Sequence, residues 1–245
     1  MSGADSGTAE HGTIVVVGGG CYGTYYVRQL HRARDANALR WERLVVVDRD
    51  PVCAVAMQGG AECVVADWGE FFQAYLAGLR PDTRDAIVPS PLMPHLLYEW
   101  LCARARERWP LRRVETSPLG GDITVDVPWQ RAGNDGTRYV SYATWMCPVN
   151  CIEPAKCPHT RGPRDWTMPS AVASLADAER ARGRPVAGPV IFQCTHRAYG
   201  VGMIDCASVV AADTVVEAAG TTGPARVLVG TVSHCHGALS VLSID

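Results

Sequence analysis

TIVVVGGGCYG, residues 13–23, is an apolar run that breaks into glycines. Residues 14–17 carry only Ile and Val, the composition of a strand buried between other elements. Gly18, Gly20 and Gly23 fill the three glycine places of G-x-G-x-x-G. Gly18 permits the tight turn, Gly20 leaves room for a pyrophosphate, and Gly23 lets the following helix pack close to the strand. Cys21 and Tyr22 occupy the free places between them. The helix that starts there would turn its unpaired amide groups and positive dipole end toward the phosphates.

Outward from this stretch the pattern continues. Tyr26, Val27, Leu30 and Ala33 recur at helical spacing, and residues 44–47 form a second apolar run ending in Asp48. An acid at the tip of the second strand binds the ribose hydroxyls of NAD and repels the extra phosphate of NADP. Arg49 follows it and offers that phosphate a partner, so NAD and NADP both stay open. Next come a short helix over 51–58, a strand over 63–66 closed by Asp67, and a helix over 69–79. A strand over 85–88 runs into the loop Pro89, Ser90, Pro91, before a helix over 94–108 and a strand over 111–114. Strands and helices that alternate over short connections predict parallel strands with right-handed crossovers.

The succession VVVGGGCYG, LVVVDRDP, AECVVADW and DAIVPS resembles the nucleotide-binding Rossmann domains of regulators of potassium conductance, the RCK or TrkA-N type, over residues 13–115. That resemblance implies nucleotide binding and places Asp67 near the adenine. The family's C-terminal ligand-binding domain is not recognisable after residue 116.

The expected fold class is therefore α/β: a doubly wound parallel-sheet Rossmann domain over 13–116, then a smaller α/β domain over 117–245 that carries a cysteine-rich loop. Residues 1–12 read as a disordered tail. The boundary falls between 116 and 137, in a stretch rich in glycine and aspartate. A strand over 138–143 leads into the cysteine loop. A helix over 170–182, a strand over 190–194, a helix over 205–219 and two strands joined at SHCHG follow.

With 23 basic and 25 acidic residues the chain has a formal charge of −2, which gives no electrostatic reason to expect nucleic acid as a partner. The arginines at 104, 106, 108, 112 and 113 read as a solvated helix face. No apolar segment approaches membrane-spanning length and the N-terminus lacks the pattern of a secretion signal, so the expected location is cytoplasmic, with no membrane partner.

In a reducing compartment ten cysteines point to metal binding or redox chemistry rather than to disulfides. Cys53, Cys63, Cys102 and Cys206 fall inside expected helices or strands and read as core. Cys147, Cys151 and Cys157 are different: they are spaced C-x3-C-x5-C in a proline-rich loop, where no regular element can use them for packing. Three thiolates on a stiff loop make a soft site, suited to an iron–sulfur cluster or to zinc. Locally, CPVNCIE is similar to the bacterial ferredoxin segment in which a cluster cysteine precedes proline. SHCHG places His234, Cys235 and His236 at an expected hairpin turn; Cys194, at the end of PVIFQC, is the first choice for a fourth ligand, with the histidines, His196, His234 and His236, second. The alternative is a loop of free thiols or a reversible redox pair.

The chain has 22 arginines and a single lysine, Lys156, next to Cys157. A compact, deprotonatable amine kept at one place suggests a catalytic role there, and His196 is the second catalytic candidate. Together these features predict an NAD(P)-dependent oxidoreductase, with a thiolate-bound metal or cluster acting on a small-molecule substrate at the interface of the two domains. An electron-transfer partner would accompany a cluster, and a homodimer stays open. The alternative is a non-catalytic nucleotide or redox sensor of RCK type.

Overall fold

The computed structural model describes residues 8–93, 95–119, 125–148 and 151–245. β1 (Ala9–Val17) runs between β2 (Leu39–Asp48) and β4 (Ala86–Val88), β3 (Glu62–Val65) lies outside β2, and all four strands are parallel. Pairing starts at Ala9↔Leu39, so residues 9–12 are strand rather than tail. Val15, Val17, Val45 and Val47 face one side of this sheet, and Ile14, Val16, Leu44 and Val46 face the other. Both faces are covered, which is why the strands carry no polar alternation. α1 (Cys21–Asp35) and α2 (Ala54–Gln58) cover the second face, α1 along the stripe Tyr26, Val27, Leu30 and Ala33. α3 (Trp68–Ala77) and α4 (Leu96–Arg108) cover the first.

The next two strands of this sheet come from far along the chain. β10 (Val201–Asp205) pairs antiparallel with β4, and β9 (Thr195–Ala198) antiparallel with β10. The order is β3-β2-β1-β4-β10-β9. Tyr199 at φ 48° and Gly200 at φ 77° close the β9–β10 hairpin, the two consecutive positive-φ residues of a type I′ turn.

The second sheet has the order β6 (Trp129–Ala132), β7 (Arg138–Ser141), β12 (His236–Ile244), β11 (Ala225–Val232), β8 (Ala187–Gln193). β5 (Val114–Ser117) pairs with the second half of β12, beyond the half that β7 occupies. Residues 111–114 therefore do not supply a fifth parallel strand to the first sheet. Leu111 is fully exposed and Arg112 donates to the carbonyls of Gly220, Gly223 and Ile244, which turns the chain away before Val114 begins pairing antiparallel with Ile244.

The architecture is thus α/β with two mixed six-stranded sheets. α4 and α6 (Cys206–Thr221) lie between them, burying Leu101, Ala105, Val209 and Val216 against Ile87 of the first sheet and Val190, Val227 and Leu242 of the second. α5 (Met168–Ala181) closes the outer face of the second sheet. Arg104 and Arg108 pair with Asp213 across the α4–α6 contact at 3.4 and 2.9 Å, so this part of the arginine cluster clamps two helices and is not a solvated face. Among the described residues, no helix is long and apolar enough to cross a membrane.

Candidate functional site

The glycine loop sits between the end of β1 and the start of α1. Gly18 has φ 87° and donates its N–H to the Val47 carbonyl at 2.9 Å. A Cβ on Gly23 would lie 1.9 Å from the Gly18 carbonyl oxygen, so α1 reaches the loop only because that position has no side chain. Gly20 caps α1, and nothing lies within 4 Å of the place its Cβ would take. The loop is therefore open at one glycine and closed at the other. Cys21 and Tyr22 are exposed on the first turn, whose amide groups have no partner within the helix.

Asp48 braces this loop. Its Oδ2 accepts the Gly19 N–H at 2.6 Å and its Oδ1 the Asp50 N–H at 2.9 Å. Asp67 caps α3 by accepting from Gly69 and Glu70 at 2.8 and 3.3 Å, and its other oxygen pairs with Arg49 at 2.5 Å. The Glu70 amide leads the contacts that hold the Asp67 carboxyl below its ordinary range. Arg49 is drawn toward Asp67 and over the Trp68 ring, 5.7 Å from its centroid.

Beyond Pro89 and Ser90 a crevice of about 440 Å³ opens between the two sheets. Tyr26 and Pro91 wall it on the glycine-loop side, Cys194 comes from the link between β8 and β9, His196 and Gly202 come from β9 and β10, and Ser141 and His236 face them from the second sheet. The Ser141 hydroxyl donates to the Ala143 carbonyl at 2.7 Å, so it accepts from His236 Nδ1 at 2.9 Å and leaves His236 Nε2 with the free lone pair. Burial lowers the His236 pKa and keeps the ring neutral.

His196 Nδ1 lies 3.2 Å from Glu153 Oε2, close but off the ideal hydrogen-bond line. Burial opposes the Glu153 charge, yet the contacts from His196, Ser233 and the His234 amide bring its pKa down to about 2. The Cys194 thiol is pushed the other way, up to about 12, by burial and then by the Glu153 charge. A Cβ on Gly202 would lie 2.4 Å from Cys194 Sγ and 3.4 Å from His196 Nε2, so a glycine is what lets both groups share this wall. Beneath the floor His95 bonds Thr231 and Ser240, each at 3.1 Å, and burial pushes its pKa down to about 4.

The expected ligand set does not assemble as a unit. Cys147 and Cys151 line a smaller cavity beside the crevice, Cys157 is buried in its own turn, and Cys194 faces the crevice. Among the described residues no group of three or more His, Cys, Asp or Glu side chains is placed to hold a metal ion. Cys194 is kept apart because β8 carries it to the first sheet's edge, whereas the loop folds onto the turn after β11. Lys156 is exposed, bridges Pro163 through its backbone, and lines neither cavity.

A family model described as "Uncharacterized protein, C-terminal domain", AF_1314_C, matches residues 97–245. The chain belongs to the AF_1314_C family. The match starts in α4 and takes in the whole second sheet together with β9 and β10. No curated protein matches the chain, and no solved structure does. The AF_1314_C match corrects the resemblance read over residues 13–115: the family recognised lies in the other part of the chain, and no RCK, TrkA-N or Rossmann family is recognised. Glycine turns and alternating strands and helices serve many α/β proteins, so the quoted segments reported local geometry rather than kinship. The C-terminal half, read as unrecognisable, is the half that the AF_1314_C family claims.

Sequence reasoning missed Glu153, Ser141 and Gly202. Glu153 stands between two of the cysteines, and its role depends on a left-handed backbone at φ 50° that no local pattern announces.

Proposed function

We propose that the protein is an NAD-dependent oxidoreductase that holds the dinucleotide over the glycine loop and a small substrate in the crevice between the sheets. The observation that carries this reading is a convergence: the open Gly20 and the crevice both lie at the carboxyl ends of β1 and β4, with Tyr26 and Pro89 to Pro91 between them. The β3-β2-β1-β4 half, with helices on both faces, is read as a doubly wound Rossmann unit. Such sheets bind their ligands in the crevice where the strand order reverses, here between β1 and β4.

In this reading the first turn of α1 and Gly20 receive the pyrophosphate. Asp48, already braced by Gly19, meets the ribose hydroxyls. Arg49 is occupied by Asp67, which favours NAD over NADP. The nicotinamide, when bound, gives or takes a hydride at the substrate carbon. His196, oriented by Glu153, moves the proton that balances the hydride. Tyr26, whose pKa burial raises to about 12, stays protonated and donates a hydrogen bond into the same space. Cys194, also protonated, shapes the wall.

Titration of the full chain with NADH and NADPH tests this. The expected result is saturable binding, with NADH preferred about tenfold, or ~1.4 kcal/mol. Gly20→Ala is expected to weaken NADH binding tenfold or more, a loss of about 1.4 kcal/mol or greater, because its methyl group enters the phosphate space. Its stability should change by no more than about 1 kcal/mol. Unchanged NADH affinity in this variant, or no saturable binding by the parent protein, overturns the reading.

A further inference from the structure

The cysteine loop is sewn to the turn between β11 and β12. Glu153 accepts the His234 amide at 3.1 Å, Met168 donates to the His234 carbonyl at 2.9 Å, and Tyr142 donates to the Cys235 carbonyl at 2.9 Å. Both ends of the loop and its middle are thereby tied to residues 234 and 235. As a result Cys147, Cys151 and Cys235 line one cavity of about 240 Å³. Burial pushes the Cys147 and Cys235 thiols up, and the nearness of Cys151 to both, and of Cys235 and Cys157 to Cys147, adds to the shift. Cys194 is absent from this set of contacts.

Hydrogen-bond donors are turned onto these sulfurs. Trp166 Nε1 donates to Cys235 Sγ at 3.4 Å, and the Thr160 amide leads the causes that hold the Cys157 thiol below its ordinary range, whereas the Cys147 and Cys235 thiols are pushed up by burial. The Arg164 guanidinium acts on both Cys157 and Cys235. N–H donors and a positive charge around sulfur stabilise thiolates and tune the centres they bind.

We propose that Cys147, Cys151, Cys157 and Cys235 are the four thiolate ligands of an iron–sulfur cluster, with Cys235 in the place that sequence spacing assigned to Cys194. Each thiol loses its proton on taking iron. A single tetrahedral ion needs all its sulfurs about 2.3 Å from one point. Cys157 does not line the cavity that Cys147, Cys151 and Cys235 share. A cluster puts several irons and bridging sulfides between its ligands and so takes cysteines that stand further apart. The cavity shares Tyr26, Pro91, His196 and His236 with the crevice, which sets the cluster directly behind the proposed substrate wall. This assignment is independent of the dinucleotide, since iron and sulfide are counted without it.

The test uses the full chain produced and purified without oxygen, with iron, acid-labile sulfide and zinc measured per chain and the visible spectrum recorded before and after dithionite. The expected protein is brown, holds iron and sulfide in equal amounts, and bleaches on reduction. Cys235→Ser and Cys151→Ser should lose most of both elements, while Cys194→Ser keeps them. Cys151 lies outside both sheets, so a native far-UV spectrum in that variant separates ligand loss from misfolding. Three results would each overturn the proposal: zinc in place of iron, iron that depends on Cys194 and not on Cys235, or no cluster after supply of iron and sulfide.

Discussion

Glu153 shows how one side chain can organise a site. It adopts a left-handed backbone at φ 50°, receives the His234 amide, and faces His196, so it joins the cysteine loop, the β11–β12 turn and β9. The pKa near 2 lies below the ordinary 4.5, so in the interval between these values the unfolded chain binds more protons than the folded one. Stability from this group is complete above about pH 4.5 and is lost as the pH falls toward 2. Glu153→Gln should therefore cost on the order of 3 kcal/mol at neutral pH, with the gap to the parent closing as the pH is lowered through that interval. Urea unfolding at a series of pH values checks this; a constant gap would show that Glu153 is not held ionised by its partners. The glycines also belong to this scale. Gly18, Gly20 and Gly23 were legible because each place in the motif has its own steric demand, and the turn, the open approach and the 1.9 Å contact follow in that order.

At the scale of elements, α4 and α6 form the layer that both sheets share. Ion pairs from Arg104 and Arg108 to Asp213 hold them side by side, and near the end of α6 the Trp109 ring fills the space over Gly220. Arg108 and Arg112 each lie 5.4 Å from the centre of that ring and limit its movement. Alanine in a helix is ordinarily better than glycine by about 1 kcal/mol. Here its methyl would meet the ring at 2.3 Å, and overpacking costs about 1–3 kcal/mol, so Gly220→Ala should destabilise the protein. Thermal unfolding gives the sign, and a raised midpoint would mean that Trp109 is free to swing out. The β9–β10 hairpin was not legible at this scale. Its I′ turn places Tyr199 where asparagine or glycine is the usual signal, and β9 reads THRA, with no apolar alternation to mark a strand.

The later stretch closes one core by itself, between α5 and the second sheet, but the two other cores draw on both stretches of the chain. β10 leaves the later stretch to pair with β4, and α4 and α6 are buried by strands of both sheets. The region that matches AF_1314_C, residues 97–245, would by itself expose the α4 and α6 faces that Val15, Val45 and Ile87 now cover, and would leave β10 without β4. Expressed alone, it is expected to lack a cooperative unfolding transition and to bind a hydrophobic dye. A sharp, two-state melt of that fragment would show that the second sheet is sufficient.

What the sequence by itself determined is the unit from β1 to β4: apolar runs too short for helices, glycines at fixed offsets, and a helical stripe are local features, and local geometry follows from neighbours in the chain. Only the tertiary structure decided that β10 and β9 complete the first sheet, that β5 joins the second, that Glu153 meets His196, and that Cys235 rather than Cys194 stands with the loop thiols. Those contacts join residues far apart in the chain. Their partners are chosen by which surfaces remain uncovered once the local elements have formed, and no spacing along the chain records that choice.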